Sequence, residues 1–200
     1  MNDIKNFTNN KKADSGILAL GGLSLVIIVI LVIGWLLGSY RVDQGQGGIL
    51  TTSGGAKVPI QDYGWKWRMP FLTDFEKWSL VNNNIYFPAD YLILEQKFQG
   101  DSQAGAIGYD IKTTDDKVID VGALMSYEII DLIQFGVKNT HPTEQLQKAF
   151  DAVTFNYLQS QASDKLTGQI ALVNDEGLQS LKKSGIEKQF GIKINSFSLL

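Results

Sequence analysis

Two hundred residues, 44% apolar and 20% charged, are enough for one folded domain with a sizeable core, and they exclude an intrinsically disordered chain. A net charge of −3 argues against nucleic acid as a partner, because phosphate recognition needs a basic surface. The absence of cysteine removes disulfides, thiolate nucleophiles and zinc–thiolate clusters, and a single histidine, His141, removes multi-histidine metal centres.

The chain begins with a short asparagine-rich tail, residues 1–16, and then runs without a charge from Ile17 through Leu25 and Ile30 to Leu37. At 1.5 Å per residue this stretch covers about 31 Å, which matches a hydrocarbon core of about 30 Å. A core helix of that length would carry a polar stripe, and a cleaved leader would be shorter and end in small residues, so residues 17–37 read as an uncleaved transmembrane helix. Lys5, Lys11 and Lys12 precede it, whereas Arg41 alone follows closely. The positive-inside bias then leaves the N-terminus cytoplasmic and exports residues 38–200, as in a bacterial inner-membrane protein facing the periplasm. Trp35 and Tyr40 fall where an aromatic belt would hold the outer end of the helix, and Gly34 and Gly38 make a small-xxx-small pair.

Residues 40–130 read mostly as strands. Val42, Ile49 and Leu50 surround a glycine-rich middle, and Tyr109 to Val121 reads as a hairpin turning at Thr114, Asp115 and Asp116. Ile119, Val121, Ala123, Met125 and Tyr127 recur at period two on one face. From Pro142 the period becomes helical. Leu146, Phe150, Val153, Tyr157 and Ala162 predict an amphipathic helix of about 25 residues. A second helix is expected over 174–190, weakened at Gly185 and capped at Gly191. The closing stretch predicts a strand with Ile192, Ile194, Ser196 and Ser198 on one face and Phe197 and Leu199 on the other.

Residues able to do chemistry are few. His141 stands at a helix start, where capping or exposure explains it. Asp115 and Asp116 lie in a turn where acids are normally solvated. Asn174 to Gly177 lacks the spacing of a calcium loop and reads as a helix N-terminus. The glycines of Gly45 to Gly48 are followed by no helix, so they cannot build a phosphate cradle. No catalytic residue, cofactor or metal site is expected.

The stretch Tyr63 to Phe71 alternates aromatic residues with cations. As a strand it points Trp65, Trp67 and Met69 one way and Lys66 and Arg68 the other, with Pro70 ending the pairing. Either its aromatic face packs into the core, or it meets lipid headgroups, where tryptophan beside lysine and arginine is common.

Gly64, Trp67, Pro70 and Phe71 resemble the Gly-Leu-His-Phe-x-x-Pro-Phe segment of the Band 7 (SPFH) family, which includes stomatin, prohibitin, flotillin and HflK/HflC. The segment from Tyr40 through Gly45 to Gly55 resembles that family's first strand. Thr113 to Asp131 resembles its Thr-x-Asp and Tyr-x-Ile-x-Asp stretch, and Phe190 to Leu200, with Gly191, resembles its closing strand. In order and layout the motifs most resemble those of HflK/HflC and prohibitin. Relatives continue from this strand into a long helix, at the point this sequence reaches Leu200.

The resemblance implies an α+β fold: one N-terminal transmembrane helix, then a mixed SPFH domain over 38–200 with strands first and helices after. It also implies a membrane scaffold. Such a protein rests on the lipid bilayer, forms a homo-oligomer or a hetero-oligomer with a related SPFH protein, and organises a membrane partner such as an FtsH-type AAA protease. Trp35, Tyr40, Trp65, Trp67 and Phe71 would then lie at the membrane interface, and Gly45, Gly64, Pro70 and Gly191 would be structural. A monomeric or dimeric docking module that regulates one membrane protein is the alternative, with an anchored hydrolase behind it.

Overall fold

The computed structural model of the protein describes residues 24–89 and 109–200, which form a mixed α+β arrangement with the strands mostly ahead of the helices. Helix α1 covers residues 24–38, about 22 Å at 1.5 Å per residue. Among the described residues no helix is long and apolar enough to cross a membrane. This corrects the expected transmembrane helix. The described helical residues, 24–38, amount to less than the hydrocarbon thickness, and residues 1–23, which include Ile17 and the tail, lie outside the described residues. Lys5, Lys11 and Lys12, on which the expected orientation rests, lie outside the described residues.

Strand β1 (Ser39–Val42) leaves α1 directly and pairs antiparallel with β4 (Gly64–Trp67), forming a two-stranded ribbon. A three-stranded sheet follows, with β2 (Gln46–Thr52) between β3 (Lys57–Ile60) and β5 (Thr73–Ser79). The central sheet sets β9 (Ala123–Ile129) between β6 (Asn83–Phe87) and β10 (Ile192–Leu199). Strands β7 (Tyr109–Lys112) and β8 (Val118–Val121) make the expected hairpin around Asp115.

The period-two pattern is realised in β9, where Ala123, Met125, Tyr127 and Ile129 are all buried. Helices α2 (Pro142–Gln159), α3 (Ser163–Gly168), α4 (Ile170–Lys183) and α5 (Ile186–Phe190) supply Leu146, Phe150, Leu158, Leu181 and Phe190 to the same core. Trp78 meets Phe135 edge-on at 5.7 Å and adds the β3–β2–β5 sheet to that core. Phe135 lies in a single π-helical turn, Ile133–Val137.

The two long helices expected from the sequence are each broken. The first ends at Gln159. The hydroxyl of Ser160 donates to the Tyr157 carbonyl, and a new helix begins at Ser163. The second starts at Ile170, which makes Asn174 interior to it, and Gly185 at φ 82° divides it from α5. Gly191, at φ 64°, closes α5 with its N–H donating to the Glu187 carbonyl, as expected of a left-handed C-cap.

Strand β10 carries a bulge at Asn195. Ile194 pairs with Tyr127 while Ser196 pairs with Ser126. The extra residue flips the later side chains, so Phe197 follows Ile192 and Ile194 into the core rather than facing away from them. On the outer side of β10, the Ile194 N–H donates to Glu187 (2.7 Å) and the Leu199 N–H to Asn174 (2.8 Å). On β6, at the opposite edge, the carbonyl of Tyr86 accepts from Gln147 (2.7 Å).

Candidate functional site

The candidate site grows from the junction of α1 with the β1–β4 ribbon. Gly38 is buried there, and a Cβ at that position would lie 2.4 Å from the Arg68 carbonyl oxygen and 2.5 Å from the Trp67 indole nitrogen. The Arg68 N–H donates to the Gly38 carbonyl at 2.8 Å, tying the end of the helix to the end of the ribbon. Glycine is what lets the two backbones approach this closely.

Directly paired residues share a face, so Ser39 and Arg41 stand beside Trp67 and Trp65 on one side of the ribbon, and Tyr40 stands beside Lys66 on the other. Burial inverts the arrangement of an ordinary amphipathic strand. Trp65 is 73% exposed and Trp67 47%, whereas the side chains of Lys66 and Arg68 are only 33% and 29% exposed. Both rings therefore lie outside the core, and the core-packing reading of this stretch fails. The cations are accommodated because their heads find oxygens. The Arg68 guanidinium donates to the Thr73 carbonyl (2.9 Å) and to Asp74 (3.3 Å), and Lys66 lies 3.8 Å from Asp62 at the rim. Their methylene stems cover the surface beneath.

Tyr40 turns inward and stacks on Phe75 with centroids 4.4 Å apart. Burial raises its hydroxyl above the ordinary tyrosine pKa, and the nearby Arg68 charge pulls the other way. Trp35, Trp65, Trp67 and Phe71 thus reach the surface, while Tyr40 does not reach it in the same way. Trp35, Leu36, Ser39, Trp65, Lys66 and Trp67 line an open cavity of about 370 Å³ at the base of α1. Along α1 itself every apolar side chain from Leu25 to Leu37 is exposed.

Beyond the ribbon, Met69 to Leu72 form a tight turn. Pro70 occupies its second position and Phe71 its third, with a φ of 66°. That is the pattern of a type II turn, whose third position favours glycine. Phe71 is 92% exposed, and its neighbours Met69 and Leu72 are exposed as well. Gly45 (φ 78°) and Gly64 (φ 118°) also hold left-handed backbone, consistent with structural roles at the end of the ribbon away from α1, where Val42 pairs with Gly64.

The residues considered for chemistry have other uses. His141 sits exposed at the N-cap of α2 and makes no side-chain capping bond. Asp116 is exposed and paired with Lys112. Asp115 departs from the expectation of a solvated turn acid: it accepts from the Ser163 N–H (2.9 Å) and the Ser163 hydroxyl (2.6 Å), and from the Thr113 hydroxyl (2.7 Å). It caps α3 from across the fold, and the Ser163 bonds hold its carboxyl well below the ordinary aspartate range. Spacing alone could not reveal this, since 48 residues separate the partners. Among the described residues no cluster of three or more histidine, aspartate or glutamate side chains is placed to hold a metal ion.

A second surface feature is an open groove of about 570 Å³, lined by Pro59, Ile60, Asp62, Lys66, Ile130 and Ile133 among others. Ile130 and Ile133 are exposed in it. No protein-family model matches the chain, and no characterised protein matches it in sequence.

Proposed function

We propose that this protein is a non-catalytic scaffold of the SPFH type that works at a lipid bilayer. The observation that carries the reading is the run of exposed apolar surface formed by α1 and the outward-facing Trp65 and Trp67. Contiguous apolar surface of this kind marks a contact with membrane or protein. Tryptophans at its base, with arginine and lysine close by, suit the headgroup zone. The order of the family-like motifs along residues 40–200 supports the same reading.

On this reading copies of the chain, alone or with a related SPFH protein, assemble on the membrane and organise a membrane protein. An FtsH-type AAA protease is the partner the resemblance suggests. Flotation of the purified full chain with phospholipid vesicles, combined with its native mass in mild detergent, tests the proposal. Flotation and a mass of many copies support it. Failure to float with any vesicle overturns it. Flotation of a monomer or dimer selects the docking module instead, for which the groove beside Ile130 and Ile133 is an available surface.

A further inference from the structure

A cavity of about 270 Å³ opens between strand β8, helix α3, the first turn of α4 and the end of β10. Ile119, Leu166, Ile170 and Leu199 give it apolar walls, and Asp120 is the one ionisable side chain in its lining. Its volume lies below the range of about 300–1,000 Å³ usual for small-molecule sites and suits a group the size of one side chain. Ile170 is half-exposed and carries the apolar lining out to the surface.

Asp120 has nothing in the described fold to balance it. Its Oδ1 is shut off from solvent and meets no hydrogen-bond donor among the described residues. Across the hairpin it stands directly opposite Asp110, so its paired neighbour carries the same charge. The cations of the hairpin are engaged elsewhere: Lys112 pairs with Asp116 (2.7 Å), and Lys117 with Asp115 (3.2 Å) and Asp164 (3.1 Å). Lys165, on the neighbouring helix, pairs with Glu176. A partly buried carboxylate beside a second acid costs stability, and a cation arriving from outside would offset that cost.

We propose that this cavity receives a lysine side chain of a partner protein. Lysine combines what the lining asks for, an aliphatic stem for the walls and a compact ammonium for the carboxylate. Arginine fits less well. Its planar fork is suited to bonding both oxygens of a carboxylate, and Oδ1 is closed to it. The Thr167 hydroxyl, also in the lining, donates to the Ser163 carbonyl at 3.1 Å, which leaves its oxygen free to accept from the same ammonium. No lysine or arginine lines the cavity to repel the incoming charge. Nothing in this pairing requires a bilayer, so it stands or falls independently of the membrane reading above.

Three blocked tripeptides, with lysine, arginine or norleucine between two leucines, are titrated into the isotopically labelled full chain in mild detergent, and the amide resonances of Ile119, Asp120 and Thr167 are followed. The lysine peptide should shift them saturably and bind at least about fivefold more tightly than the norleucine peptide, with the arginine peptide between them. Resonances that do not move, or equal affinity for lysine and norleucine, would overturn the proposal. Tighter binding of the arginine peptide would overturn the choice of lysine. Asp120→Asn keeps the shape and removes the charge. It should erase the preference for lysine over norleucine and leave the urea midpoint unchanged or raised, because the opposition to Asp110 goes with the charge. A lysine preference that survives this substitution would place the cation elsewhere, and a lowered midpoint would give the Asp120 carboxylate a structural role; either result overturns the assignment.

Discussion

Substituting Gly177 by alanine sets two effects of opposite sign against each other. Gly177 lies in the interior of α4, where alanine is favoured over glycine by about 1 kcal/mol on helix propensity alone. A Cβ at this position, however, would stand 2.5 Å and 2.6 Å from two carbons of the Phe197 ring. That ring is 4% exposed and held by edge contacts with Phe150 and Tyr157, whose centroids lie 6.5 Å and 6.3 Å away. It has little room to retreat, and overpacking in such a setting costs about 1–3 kcal/mol. Subtracting the propensity gain leaves a net loss of about 1–2 kcal/mol at the upper end of that range. For a chain of this size the melting midpoint should fall by about 2–8 °C. Thermal and urea unfolding followed by circular dichroism would measure it. A double variant with Phe197→Leu should lose less than the sum of the two single losses, by at least about 0.5 kcal/mol. A Gly177→Ala protein as stable as the parent would show that propensity outweighs the contact and that α4 and β10 are less tightly apposed.

Asp115→Asn should destabilise the protein at pH 7, because the carboxylate that caps α3 is lost. The folded carboxyl titrates below its unfolded value, so its stabilising contribution is present above about pH 4 and declines as the pH falls below it. The urea midpoints of parent and variant should therefore converge in acid, and a gap independent of pH would refute the cap. Trp65→Ala and Trp67→Ala should each cost less than about 1 kcal/mol, compared with about 3–5 kcal/mol for a core tryptophan, and both should weaken vesicle flotation. A large loss of stability from either would return these rings to a packing role.

The core of the domain was legible where a pattern has one physical reading. Alternation from Ala123 to Ile129 can only serve a half-buried strand, and Gly191 after Phe190 is a C-cap because glycine alone holds that backbone cheaply. Breaks were harder to read. Ala162 continues the helical period past Gln159, but a helix ends where its carbonyls find other donors, and those come from Ser160 and Gln161. The bulge at Asn195 is a matter of register with Tyr127 and Ser126, and composition carries no register. The orientation of the Trp65–Trp67 strand was readable only as far as its period. The period left the tryptophans either in the core or at headgroups; tertiary partners for Arg68 and the stem of Lys66 hold the cations in, and the tryptophans stay outside the core. The length of the N-terminal apolar run suggested a crossing helix, and the described helix of residues 24–38 does not supply one.

The acceptors that Glu187 and Asn174 hold against β10, and the donor that Gln147 holds against Tyr86, bear on how copies of this chain can meet. An exposed strand edge is a template on which a neighbouring chain can extend the same ladder, and uncontrolled extension is the route to fibres. Here side chains of the helices occupy hydrogen-bonding positions on both rims of the central sheet. In the outer sheet Pro59 leaves one ladder position of the β3 edge without a donor. Growth by continuing the central sheet from one molecule into the next is thereby opposed at both ends. If copies assemble on a membrane as proposed above, the central sheet leaves that association to side-chain surfaces, whose geometry can close and stop, a restraint of particular value at high local density.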